Sequence, residues 1–569
     1  MKWNLKEFFK NDKEFDSFAN QTKQNAQDFK ANYSQNLSSL SLENFNQALK
    51  EYENICEDTA KIGTYAYLNF AKDTSKGANL AKSQQICNDI TQNLLFFNIE
   101  FNELDTKISD KFILNSGKYN YYLSLVKKEA KHQLSLPQEE VLLKTSPVGV
   151  SAFSRLFDET MSNLRFEFNG KSLKEEEILS KLSDSNREVR KEAALSLSKT
   201  LEENMHLLTY IFNMVRSDLN IQTLLRGYEY PESYMHLDNQ IDKKSVDALI
   251  EATEANFTMS HDYYAKKREI LGFKELYDYD RYAPMGKDLS INFNDSKEIV
   301  LKAFNKFSPE FGKLAKRAFD EDWIDVYPDE NKTSGAFSHS AVSTLHPFVL
   351  LNFTDKRRDL FTLAHELGHA IHQYLAYDAG YLNSDTPLTT AETASVFCEM
   401  LVFSYVLEKT DKKEKQALLG SKIEDIFATL FRQINFTTFE RKVHAIDGEL
   451  SSQEISEIWY DESVKMFGKS LKLNEYYKIW WSYIPHFIHT PFYCYAYSYA
   501  QLLVLALFGL YKSGKCENFV QIYTEFLSLG GSKSPREMIK KFDLDIDSKE
   551  FWQIGLDEIK KLVDEFIRS

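Results

Sequence analysis

His365, Glu366 and His369 put three side chains capable of hydrolytic chemistry within five residues. In His365-Glu366-Leu367-Gly368-His369 the imidazoles are four residues apart, so on an α-helix they stack on one face and can grip a single metal ion. Glu366 lies one step round the helix, where its carboxylate reaches water at the metal rather than the metal itself. A Lewis acid, a nucleophile and a general base would then share a turn and a half. His372 places a third imidazole in the same apolar stretch, and a metal satisfies two of the three at once. Gly368 costs a helix interior about 1 kcal/mol relative to alanine. Its position between the ligands predicts a neighbour packed too close for a side chain.

A catalytic zinc needs a third protein ligand and one position for water. The spacing with a third histidine six residues past the second would require His at position 375, which is Leu375, with glycine where His372 stands. A ligand 19 residues past His369 would fall on Leu388. Both classes are excluded. The downstream carboxylates are Asp378, Asp385, Glu392 and Glu399. Asp378 is near the end of the motif helix and cannot turn back, and Asp385 lies in a loop beside Pro387. A second helix predicted from Thr389 to Lys409 puts Glu392, Ser395 and Glu399 on one face. Glu392 is there the candidate third ligand, and Glu399 is either a support for a ligand imidazole or an ordinary salt-bridged residue.

The positioning elements are mostly helical in pattern. The flanks of the motif, Leu360 to Ala364 and Ala370 to Ala376, suit a buried helix capped by Thr354 or Asp355 and ended by Gly380. Phe348 to Phe353, after Pro347, reads as a strand leading into it. That strand is either a substrate-binding edge or an ordinary buried strand. The small residues from Thr333 to Ser338 suggest a loop or a close backbone approach. No proline precedes Pro137, and Leu42, Phe45, Leu49, Tyr52 and Ile55 form a helical stripe. Leu164 to Phe168 alternates like a strand and meets Asn169-Gly170, a hairpin turn signal. A soft boundary near residue 195 divides an N-terminal, mainly helical region (1–195) from a catalytic region (196–569).

At 569 residues, 43% hydrophobic, the chain is large enough for two or more lobes. Its net charge of −15, without a basic run, argues against nucleic acid or an anionic membrane as partner. Cys56, Cys87, Cys398, Cys494 and Cys516 are odd in number and lack C-x-x-C spacing, which fits a reducing cytoplasm. The N-terminus lacks the apolar core of a signal peptide, and Leu502 to Tyr511 is about half a bilayer span. These features predict a soluble, cytoplasmic protein.

His365-Glu366-Leu367-Gly368-His369, followed by Ala391-Glu392-Thr393-Ala394-Ser395, resembles the oligoendopeptidase F and thimet oligopeptidase family. Arg281-Tyr282-Ala283-Pro284, Gly335-Ala336-Phe337 and Ile484-Pro485-His486-Phe487 leading to Pro491-Phe492-Tyr493 agree with it, in order along the chain. The likeness runs from about residue 110 to the C-terminus and is strongest from 335 to 510. It implies a mainly α, two-lobed metallopeptidase with a deep substrate channel and a small β-sheet beside the motif helix. It implies one Zn²⁺ held by His365, His369 and Glu392, and a substrate-binding role for Phe348–Phe353. A monomer fits the family. The segment His486 to Tyr499 is rich in donors that could hold an oxyanion; alone, such an aromatic stripe is more often core. The resemblance assigns a His and several Tyr here to the transition state: His486 or His489, with Tyr493 and Tyr497 as the preferred phenols. The tyrosines alternate at period two, a strand-like spacing.

The expected activity is zinc-dependent hydrolysis of internal bonds in short peptides, with Glu366 as general base. Two other readings are a metallo-carboxypeptidase of similar build and a non-catalytic helical peptide-binding protein with a vestigial metal site. The intact Glu366 argues against the second, because binding alone has no use for a general base.

Overall fold

Three long helices, Asp12–Tyr33, Leu42–Lys72 and Gly77–Glu103, open the chain in the computed structural model, which describes residues 2–286 and 290–569. Nothing in their sequence interrupts them, and each is stopped by an extended residue (Ser34, Asp73 and Leu104). The predicted stripe on the second helix is its inner face: Phe45 and Leu49 are fully buried, Tyr52 and Ile55 nearly so. Phe45 stacks on Phe112 with ring centroids 3.9 Å apart.

The described chain divides into two units, each made of three segments. The first comprises Met1–Lys131, Asp288–Lys409 and Lys515–Asp543; the second comprises His132–Lys287, Thr410–Gly514 and Leu544–Ser569. The point near residue 195 falls inside the helix Arg187–Glu203 of the second unit. The N-terminal helices share one core with Phe348 and Leu350, just before the H-E-x-x-H segment. An amphipathic helix layer must cover its apolar face, and here the short sheet and its flanking residues supply the cover. Trp3 belongs to the same core, its indole donating to the carbonyls of Trp323 (2.9 Å) and Val349 (3.0 Å).

The first unit contains a three-stranded sheet in the order β3-β5-β4: β3 (Ile324–Asp325), β4 (Phe337–His339) and β5 (Phe348–Leu350). β5 runs parallel to β3 and antiparallel to β4. Thus the predicted strand at Phe348 is present but shorter, and it is central rather than an edge. Phe348, Val349 and Leu350 are each 0% exposed, so the continuous apolar run reflects burial on both faces. The Thr333–Ser338 stretch, expected as a loop or a close backbone approach, enters the edge strand β4 at Phe337. The second unit contains a two-stranded hairpin, β1 (Phe166–Phe168) and β2 (Lys171–Leu173), turned by Asn169 (φ 50°) and Gly170 (φ 74°) as the Asn-Gly signal predicts.

The strand-like spacing of the tyrosines misleads. Cys494–Ser513 is a helix, and alternation at two splits its tyrosines into i, i+4 pairs on different faces. Leu388–Leu407 and Cys494–Ser513 are apolar enough by length and composition to span a membrane, but 61% and 83% of those windows are buried within the protein. Core helices occupy such positions.

Candidate active site

The motif lies on the helix Arg357–Ala376, entered from Lys356 rather than capped by Thr354 or Asp355. Asp359 closes the start instead, its carboxylate accepting from the backbone N–H groups of Thr354 (2.6 Å) and Lys356 (3.2 Å). Gly380 (φ 85°) ends the short turn that follows. The second helix is broken where chemistry needs it. A short turn, Leu388–Ala391, stops at Glu392 (φ −85°, ψ 4°), and Thr393–Leu407 continues beyond. Glu392 is thus a hinge residue at the helix start, with Ser395 Oγ donating to its Oε2 at 2.6 Å. Tyr523, fully buried, fastens the same helix start by donating to the Thr393 carbonyl at 2.7 Å.

Gly368 is where the two helices touch. A Cβ there would lie 2.6 Å from the Ala394 carbonyl oxygen and 2.6 Å from Ser395 Cα. This close backbone approach brings Glu392 over the motif helix. His365 Nε2 and His369 Nε2 are each 3.3 Å from Glu392 Oε2, and the three donor atoms lie within 4.8 Å of one another. Donors around a tetrahedral zinc at about 2.0–2.1 Å are separated by about 3.3 Å. Two imidazoles and a carboxylate that leave one side open are also the donor chemistry of catalytic zinc, so the residues fit the ion.

The electrostatics favour a cation. Burial would raise the Glu392 carboxyl, but the hydrogen bond and charge of His369, the charge of His365 and the Ser395 hydroxyl bring it down to about 2. Burial lowers His365, yet its hydrogen bond to the Glu399 carboxylate and the charges of Glu392 and Glu366 raise it overall. Glu399 Oε2 lies 3.4 Å from His365 Nδ1, the place from which a carboxylate fixes a ligand's tautomer. Glu399→Gln should weaken metal binding by about 10–100-fold and leave the helices folded, as competition with a chromophoric chelator would report. His372 lies outside this cluster: it is 3% exposed, its Nε2 has no hydrogen-bond partner among the described residues, and burial lowers it to about 3.

Glu366, 7% exposed, faces β4. Burial raises its carboxyl above the usual range despite His365 and His369, and the Ser338 backbone N–H donates to it. Val349 and Leu351 give their N–H groups to the β3 side, so Phe348 and Leu350 face β4, and Phe337 and His339 face back. The main-chain groups of Ala336 and Ser338 therefore point away from the sheet. Gln373 takes the Ser338 carbonyl (3.1 Å) and accepts from its hydroxyl (2.7 Å). Ser338 and Gln373 were missed in the sequence. The available signal was that Glu366 and Gln373, seven residues apart, share one helix face.

In the second unit the structure gathers His486, Tyr493 and Tyr497. His486 Nε2 is 3.5 Å from Tyr497 Oη, and the rings of Tyr493 and Tyr497 meet edge-on at 5.0 Å. Burial, then the charges of Arg432 and His489, lower the His486 pKa. His489 faces elsewhere, 2.8 Å from Asp158 on the helix Val150–Asn163. Tyr495 and Tyr499 form the buried face: Tyr495 Oη meets His236 Nδ1 at 2.9 Å, and Tyr499 packs on Trp552 at 4.7 Å.

The sequence profile of Peptidase family M3 matches residues 180–558, and that of Oligopeptidase F matches residues 100–166. The chain is 29% identical to an oligoendopeptidase F homolog of Borreliella burgdorferi, covering 99% of this chain and 98% of that one. It is 28% identical to oligopeptidase PepF of Bacillus subtilis, covering 91% and 81%. Among solved structures, one from Chlamydophila abortus aligns with a TM-score of 0.91 at 22% identity, covering 100% and 98%. Oligoendopeptidase-F from Enterococcus faecium aligns with a TM-score of 0.70 at 21% identity, covering 98% and 100%, and shares the fold.

Proposed function

Because this chain belongs to peptidase family M3, we propose that it is a zinc-dependent endopeptidase cutting internal bonds of short peptides. The observation that carries the reading is the cluster of His365, His369 and Glu392, with Glu392 Oε2 3.3 Å from each imidazole Nε2 and all three donor atoms within 4.8 Å of one another, and with Glu366 on the helix of the two imidazoles. One Zn²⁺ held by these residues would supply Lewis acidity toward the scissile carbonyl and lower the pKa of water toward neutrality. Glu366, its pKa raised by burial, takes the proton of the attacking water and returns it to the leaving amine. Glu399 keeps the His365 ring in one tautomer. An extended peptide would lie along the outer edge of β4 at Ala336, since β5 has a neighbour on each side and the Ser338 main chain is held by Glu366 and Gln373. From the family resemblance, His486, Tyr493 and Tyr497 supply the donors to the developing oxyanion, and His489, engaged by Asp158, does not.

The relatives named oligoendopeptidase and oligopeptidase support short peptides as substrates, and a cytoplasmic monomer remains the expected setting. A length-graded set of peptides, blocked at both ends and analysed by mass spectrometry, tests the mode of cleavage. Internal cuts that fade as the peptide lengthens are expected. Release of single C-terminal residues from unblocked peptides only would make the enzyme a carboxypeptidase.

A further inference from the structure

Phe492 is a bulky residue held in left-handed backbone (φ 63°), in a segment whose next residue, Tyr493, opens the helix Cys494–Ser513. Phenylalanine rarely adopts that conformation, and it persists only where surrounding structure enforces it. The enforcement is visible. Glu440 Oε1 accepts the Phe492 N–H at 2.8 Å, with both residues almost fully buried. His444, one turn further along the helix Phe431–His444, lays its ring on Phe492 with centroids 4.9 Å apart. The Tyr234 hydroxyl donates to the Pro491 carbonyl, and the Tyr493 N–H returns to the Thr490 carbonyl at 3.2 Å.

Glu440 is costly where it stands. Its second oxygen is buried without a hydrogen-bond partner among the described residues, and leaving such an atom unsatisfied is unfavourable. A leucine would fill the same space without that cost, so what the carboxyl adds is the acceptor for Phe492. Burial, opposed by the Phe492 bond and reinforced by the charge of Glu232, holds it well above the usual carboxylate range. Glutamine keeps the length of this side chain and an oxygen that can accept the same N–H.

We propose that Glu440 is a positioning residue for the reaction: with Tyr234 it clamps the left-handed turn at Phe492 and so aims Tyr493 and Tyr497. The inference rests on the role given above to the 486–499 segment. Because Tyr493 and Tyr497 lie one helical turn apart, a relaxed turn would swing both phenols together.

The test compares Glu440→Gln, Glu440→Leu and Tyr234→Phe in the full-length, zinc-loaded protein, with kcat and KM measured on one short quenched-fluorescent peptide. Glu440→Leu should lower kcat by about 10–100-fold with KM and zinc content little changed. Glu440→Gln should stay within about threefold of the parent, because its amide oxygen still accepts the Phe492 N–H. Tyr234→Phe, a mild change that decides the matter if Glu440→Leu fails to fold, should lower kcat several-fold. Parent-level kcat in Tyr234→Phe, or Glu440→Gln as impaired as Glu440→Leu, overturns the inference. Tyr493→Phe and Tyr497→Phe separate the two levels. If either phenol matters and the clamp variants do not, the inference alone fails. If neither phenol matters, the role of the segment fails and the inference falls with it.

Discussion

Glu366→Gln should lower kcat on a short peptide by about 10³-fold while the protein still holds one zinc ion. Glutamine keeps the size of the side chain, and its carbonyl oxygen can still accept the Ser338 N–H, so the contact between the motif helix and β4 survives. What is lost is the ability to take a proton from water and carry it to the departing amine. The helix, the imidazole pair and Glu392 are untouched, so metal content should match the parent. A variant retaining more than about a tenth of the parent kcat would move the general base to another residue.

Gly368→Ala should also be severe, against the sign expected from helix propensity. Alanine favours an exposed helix interior by about 1 kcal/mol. Here the added methyl would sit 2.6 Å from the Ala394 carbonyl oxygen and 2.9 Å from its carbonyl carbon. These are backbone atoms that cannot rotate away, and overpacking of this kind costs about 1–3 kcal/mol. The helix Thr393–Leu407 must shift, and Glu392 at its start shifts with it. We expect zinc affinity to fall by about 100-fold or more, comparable to losing a residue that orients a ligand, together with a lower unfolding temperature. Zinc titration alongside thermal unfolding measures both. Parent-like affinity would mean that the helix contact at Gly368 does not set the ligand geometry.

The cluster of His365, His369 and Glu392 is legible in the sequence because its information is local. Four-residue spacing on one helix brings the two imidazoles to one face, and the cost of Gly368 points to the second helix. The place of Glu392 in the cluster is readable from a shared face on the next helix, although the break at Glu392 is not, since nothing in Thr389 to Ser395 forbids a continuous helix. Sheet order was not legible. A short apolar run looks the same at an edge and at a centre, and the small residues leading into β4 suit a loop or a close backbone approach as well as a strand. The tyrosine run shows the same limit: a spacing of two mimics a strand, while i, i+4 pairs on a helix send Tyr493 and Tyr497 one way and Tyr495 and Tyr499 another. Residues that act through tertiary contact, such as Ser338, Glu440 and Tyr234, carry no motif.

In the mechanism proposed, His365, His369 and Glu392 hold the one zinc ion on which peptide cleavage depends. The most direct test is to strip the protein with a chelator, return zinc in sub-stoichiometric steps, and follow cleavage of an end-blocked short peptide. Activity should be absent in the stripped protein and rise linearly to a break at one zinc per chain. Glu392→Ala should show neither the break nor the activity under the same titration. Full activity in the stripped protein, or an unchanged titration in Glu392→Ala, would contradict the assignment.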